Sequence, residues 1–183
     1  MKNKKKKIFL IVIALVAVSA LFGVKQIPVL KVNGKNISYG KFLKIKGAIE
    51  KSNSVPQLRL GPEGDFGEIA LLNLVEQEFL DALIDSTDRN ILFEAEKTVN
   101  EAIERTPNLS LGEASKELYN LSAEEFKSLV LIPQAKKNLL DKHFNEKGQD
   151  ILMAWASLYG TATVKVYYPG YYWDTKEYTI KRK

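Results

Sequence analysis

The chain has 183 residues, 45% of them hydrophobic, with 27 Lys and Arg against 22 Asp and Glu and a formal charge of +5. That length suits one domain with appendages, and the absence of cysteine excludes a disulfide framework, a lipoprotein lipobox and a thiolate metal site. The charge excess is local: residues 1–25 hold six lysines and no acid, so the other 158 residues carry 21 basic and 22 acidic groups, a net of −1, which removes the basic surface that nucleic-acid binding needs.

Lys2, Asn3 and Lys4 to Lys7 form an almost wholly basic flank, and Ile8 to Val24 follows with 17 residues and no charge. Such a pair is a signal sequence or a membrane anchor. At about 1.5 Å per residue the run reaches about 25 Å as a helix, short of the ~30 Å hydrocarbon core but at the lower limit for spanning. Val18, Ser19 and Ala20 offer small residues to a signal peptidase, yet the apolar run continues through Leu21, Phe22 and Val24. The sequence therefore predicts one transmembrane helix retained within a 1–27 stub, with a cytoplasmic N-terminus and an extracytoplasmic domain. The alternative is secretion after cleavage near Ala20.

From Pro28 onward, Val29 to Val32 is β-prone and ends in Asn33-Gly34, the dipeptide of a tight hairpin turn, with Ile37 beyond it. Ser38 is placed to cap a helix whose apolar positions Phe42, Leu43, Ile45 and Ile49 run to about Lys51, weakened by Gly40 and Gly47. Ser52 to Gly67 contains two prolines and three glycines and reads as a mobile loop. Asp65 and Glu68 form a capping pair at its end.

The stretch Glu68 to Arg105 has the strongest helical periodicity. Leu72, Val75, Phe79 and Leu83 recur at spacings of three and four, and Leu71, Leu74, Leu80 and Ile84 widen the face. Ser86 to Asn90 interrupts it, and Ile91, Phe93, Ala95, Val99, Ala102 and Ile103 resume it, which predicts two consecutive helices. The carboxylates Glu76, Glu78, Asp81, Glu94, Glu96 and Glu101 occupy polar positions and read as a solvated face. After the break at Thr106-Pro107-Asn108, Ser110 with Glu113 and Ser122 with Glu125 are capping boxes that start two helices. The first carries Ala114, Leu118 and Tyr119. The second carries Phe126, Leu129, Val130, Leu139 and Leu140, and Pro133 inside it predicts a bend. A helix over about Glu146 to Tyr159, with Ile151, Trp155 and Leu158 on one side, ends at Gly160. Ala162 to Tyr168 alternates as a half-buried strand, Pro169-Gly170 turns it, and Tyr171 to Ile180 is placed to return as a second strand.

Val32-Asn33-Gly34, Ile37 and Phe42, then a helix pair, then Glu113 to Leu140 with its capping box, Phe126 and Pro133, together resemble the N-terminal chaperone domain of SurA-type and PrsA-type parvulin foldases over residues 29–166. The resemblance implies a bacterial, extracytoplasmic binder of unfolded polypeptides. It also implies that the first strand pairs with the closing strand, Ala162 to Tyr168. Relatives often insert a prolyl-isomerase domain before the closing helix, but here only Asn145 to Asp150 separates Phe144 from that helix, far below the ~50 residues a domain needs. Isomerase activity is not carried over.

The remaining signals are bland. His143 is the only histidine and reads as a surface or C-terminal capping residue; without cysteine or a second histidine, no metal site is expected. No glycine-rich phosphate cradle and no G-x-S-x-G elbow occurs, so no cofactor and no catalytic residue are expected. The sequons at Asn36, Asn108 and Asn120 fit turn and capping chemistry. One cluster points to contact: Tyr167, Tyr168, Tyr171, Tyr172 and Trp173 surround the Pro-Gly turn. Packing on the closing helix is the leading reading, and Tyr168, Tyr171, Tyr172 and Trp173 are the candidate peptide-binding residues.

The sequence thus predicts a mostly α protein, a bundle of five to six helices with a small β element formed by the chain ends, preceded by one transmembrane helix. Its parts are the 1–27 stub, a helical domain over 28–168 and an aromatic-rich hairpin or tail over 169–183. The function expected is chaperone-like binding of unfolded or extended polypeptides without catalysis, with membrane attachment through Ile8 to Val24. The alternative is an adaptor subunit of an envelope complex with one specific partner.

Overall fold

A computed structural model describes residues 25–56, 64–106 and 110–183. The stretch expected to be an anchor, Ile8 to Val24, lies outside the described residues, and among those described no helix is long and apolar enough to cross a membrane.

The fold starts from the Asn33-Gly34 turn. Both residues have positive φ, 47° and 88°, so the turn twists with the strands it joins, β1 (Pro28–Val32) and β2 (Lys35–Ser38). β1 is also paired on its other edge, antiparallel, with β3 (Val164–Val166), in register Leu30 to Val166 and Val32 to Val164. Asn33 fixes that junction: its N–H donates to Thr163 O at 2.9 Å, and its Oδ1 accepts from Thr163 N–H at 2.9 Å. The first strands of the described chain therefore meet the strand that follows the last helix in one three-stranded sheet.

Helix α1 (Tyr39–Asn53) is capped by Ser38, whose Oγ accepts from Lys41 N–H, and it buries Phe42, Ile45 and Ala48 despite its two glycines. Helix α2 (Phe66–Thr87) starts at Asp65, whose Oδ1 accepts from Gly67 N–H at 2.9 Å and Glu68 N–H at 3.3 Å. α2 threads both apolar clusters. Leu71, Leu74, Val75 and Phe79 pack with Val29, Leu30, Val32, Phe42 and Ile180, while Leu80, Leu83 and Ile84 pack with Ile91, Leu140 and Phe144. Each such side chain contributes about 1.5–3 kcal/mol of burial.

Helix α3 (Asn90–Glu104) follows after Asp88, which accepts from Asn90 N–H at 3.0 Å, and buries Ile91, Ala95 and Val99. Phe93, read above as part of the apolar face, points to solvent with 72% of its surface exposed. The spacing explains this: Phe93 lies two residues from both Ile91 and Ala95, on the opposite side of the helix.

Helix α4 (Leu111–Tyr119) ends at Asn120 in the left-handed conformation, φ 55°, and its Ser110 cap accepts from Glu113 N–H. The full reciprocal capping box belongs to Ser122 and Glu125, which open α5 (Ala123–Phe126). Lys44 also reaches Glu125 at 2.7 Å; this ammonium and the Ser122 N–H hold the carboxyl down at about 2. A π-helical turn over Lys127–Leu131 joins α5 to α6 (Ile132–Glu146) as one rod. That turn is how Pro133 is accommodated: Ile132 N–H donates five residues back to Lys127 O, so the wider turn precedes the residue that has no N–H to give.

The closing helix, α7 (Ile151–Thr161), starts five residues later than the pattern predicts. Gly148, at φ 62°, ends the preceding helix, and Asp150 opens the new one by accepting from Leu152 N–H at 2.8 Å. The tail also differs. Tyr171 to Ile180 is not one strand returning on β3; β4 (Tyr171–Asp174) pairs with β5 (Thr179–Arg182) as a separate hairpin. Asp174 makes its turn, Oδ1 accepting from Lys176 N–H at 2.8 Å, and Ile180 enters the main core fully buried. The described residues are thus mostly helical, six helical rods with small β elements.

Candidate functional site

The helices leave a cleft of about 900 Å³ between them. Each wall is one stripe of a helix. α1 supplies Ile45, Ala48, Ile49 and Ser52, and α2 supplies Asn73, Glu76, Gln77 and Leu80, both at spacings of three and four. The rod of α5, the π-helical turn and α6 supplies Leu129, Val130, Pro133, Lys137 and Asp141, and α7 supplies Ile151, Leu152, Trp155 and Tyr159. Tyr119 and Leu121 complete the wall at the end of α4. The volume lies at the upper end of the ~300–1,000 Å³ range of ligand clefts, enough for several side chains at once.

The lining is aliphatic and aromatic with a few placed polar groups. Gln77 Nε2 donates to Asn73 Oδ1 at 2.9 Å along α2. Glu76 opens into the cleft, and its pKa is raised because the walls take water from the carboxylate, with Lys137 opposing the shift. Tyr159 is raised for the same reason, burial first and then the Glu76 charge. Among the described residues no group of three or more His, Asp and Glu is placed to hold a metal ion. Such a surface binds by apolar contact and orients what it binds through isolated hydrogen-bonding and charged groups.

The aromatic candidates lie elsewhere, and none of the four lines this cleft. The Tyr168 ring packs at 4.7 Å from Phe42 and stacks on Tyr39 and Tyr171. Tyr171 donates its hydroxyl to Asp65, 2.7 and 2.8 Å from the two carboxylate oxygens; burial and this bond push the phenol up to about 12. Burial alone would raise Asp65 too, but the Tyr171 hydroxyl and the two backbone N–H groups outweigh it and the net shift is downward. Trp173 lies parallel to Tyr159 at 6.5 Å and edge-on to Phe79, and of the four candidates Tyr172 alone presents an exposed ring. Tyr168 and Tyr171 border a second pocket of about 510 Å³ with Lys46, Glu50 and Arg182.

Two charged-residue expectations change. Glu78 is not on a solvated face: it is buried against the β1–β2 hairpin, 2.6 Å from Lys35 and 3.9 Å from Lys41. His143 is turned inward rather than to the surface, with Nδ1 3.8 Å from Asp88 and Nε2 buried without a hydrogen-bond partner. The signal that points to the cleft is in α2, where Asn73, Glu76 and Gln77 gather polar groups on one side of a largely apolar helix. No family model, characterised protein or solved structure matches this chain.

Proposed function

We propose that the chain is a chaperone-like protein of the bacterial cell envelope that binds unfolded or extended polypeptides, without catalysis or cofactor, and is tethered by Ile8 to Val24. The observation that carries this reading is the open cleft, whose four helical walls offer aliphatic and aromatic contact around a polar minority. The pairing of β1 with β3, which the resemblance to the foldase chaperone domain implied, supports it as well. The test mixes a fragment from Gln26 to Lys183 with unrelated aggregating proteins and follows light scattering. Suppressed scattering, lost when Leu129 in the cleft is replaced by Asp, is the expected result; unchanged scattering with every client refutes the reading.

A second reading, an adaptor for one specific partner, draws on Phe93, Leu152 and Met153, exposed by 72%, 72% and 70%. An adaptor would ignore the aggregating clients and capture one protein from membranes.

A further inference from the structure

The geometry points to an apolar polypeptide segment carrying one lysine or arginine as the occupant of the cleft, with its cation set against Glu76. This rests on the proposed polypeptide-binding function and names the class of segment bound. Glu76 stands midway along the α2 stripe, with Leu80 beside it and Leu129 and Trp155 on the facing walls. Among the described residues it has no ion pair and no side-chain hydrogen bond; its side chain is exposed to the cleft, and Lys137 is the cation that acts on its charge. Its contrast is Glu78, two residues on and on another face of α2, whose charge Lys35 meets at 2.6 Å. The cleft's charged lining is two acids, Glu76 and Asp141, against one base, Lys137, so it carries one net negative charge that an incoming cation neutralises. A lysine or arginine suits such a place because its methylene stem lies along apolar wall while its head reaches the carboxylate. An acidic segment would set its charge against Glu76 and Asp141, and a neutral one would leave the net charge of the lining unmatched, so both gain less from entering.

The test uses the full chain in lipid nanodiscs and three short fluorescent peptides, identical but for a central Lys, Gln or Glu in an apolar background, titrated by anisotropy. The Lys peptide is expected to bind roughly fivefold tighter than the Gln peptide, the return of one partly exposed ion pair, and the Glu peptide to bind weakest. Glu76→Gln is expected to abolish the ranking, and Glu76→Lys to reverse it. Asp141→Asn is expected to keep the ranking; a ranking that survives Glu76→Gln but not Asp141→Asn overturns the assignment to Glu76. Equal binding of all three peptides by the native chain overturns the charge preference and leaves the cleft as a peptide site. Binding of none overturns the inference together with the reading it rests on.

Discussion

Helices α2 and α7 are both rich in apolar residues, yet they end in opposite situations. α2 buries nearly its whole apolar face from Ala70 to Ile84 and is shared by both core clusters. α7 carries no charge from Ile151 to Thr161 and has no fully buried residue, and Leu152 and Met153 are among the most exposed apolar side chains. Composition measures how much apolar surface an element brings; its place in the topology decides how much is covered. α2 is enclosed by the sheet, α1, α6, α7 and the C-terminal hairpin, whereas α7 itself forms a rim with the cleft on one side. Apolar surface left open at a rim is what an interaction site requires.

The comparison breaks most sharply at Phe79, which is fully buried between Tyr159 and Trp173. Phe79→Ala is expected to lower stability by about 3–5 kcal/mol in chemical denaturation; a loss below about 1 kcal/mol would mean that α2 is not the shared core. A smaller effect belongs to Tyr171, which ties the hairpin to the start of α2 through Asp65. Tyr171→Phe is expected to cost about 1.5–3 kcal/mol, the worth of a hydrogen bond to a charged group. It also alters both ends of the pH profile. Asp65 is depressed in the fold, so its contribution is present above its ordinary value of 3.8 and fades as the pH falls through the folded pKa. Tyr171 is raised, so its contribution holds below the ordinary 10.0 and is lost as the pH rises through about 12. Denaturation midpoints followed across both ranges should flatten in the variant; unchanged arms would show that the bond contributes nothing. The smallest stability effect is expected for Leu152→Ser in α7, within about 0.5 kcal/mol, while the affinity for an apolar peptide falls several-fold by anisotropy. A large stability loss there would make α7 a core helix and close the distinction.

Local chemistry was the legible part of the sequence. The Asn33-Gly34 turn and the caps at Ser38, Asp65, Ser110 and Ser122 depend on residues a few positions apart, and each forms where the pattern places it. The Pro133 irregularity was legible too, but not that a π-helical turn would absorb it, since that depends on backbone relaxation upstream of the proline. Glu78 was misread because its partners Lys35 and Lys41 arrive from another element, and spacing along one helix says nothing of them. The aromatic cluster drew attention by density, although density alone does not separate contact surface from packing: Tyr168, Tyr171 and Trp173 mostly hold the hairpin in place. The cleft was not legible as a site because its walls come from residues 45 to 159, and only the tertiary arrangement brings those stripes together.

The central position of β1 also bears on the proposed binding of aggregating chains. With β1 paired on both sides, the free edges of its sheet belong to β2 and β3, which are four and three residues long. Lys35 stands on one and Lys165 on the other. Short, lysine-bearing edges offer a poor template for another strand. Under the proposed function, an aggregating chain in the cleft would be gripped by its side chains while finding little backbone to copy, so the binder would not be recruited into a growing β-aggregate.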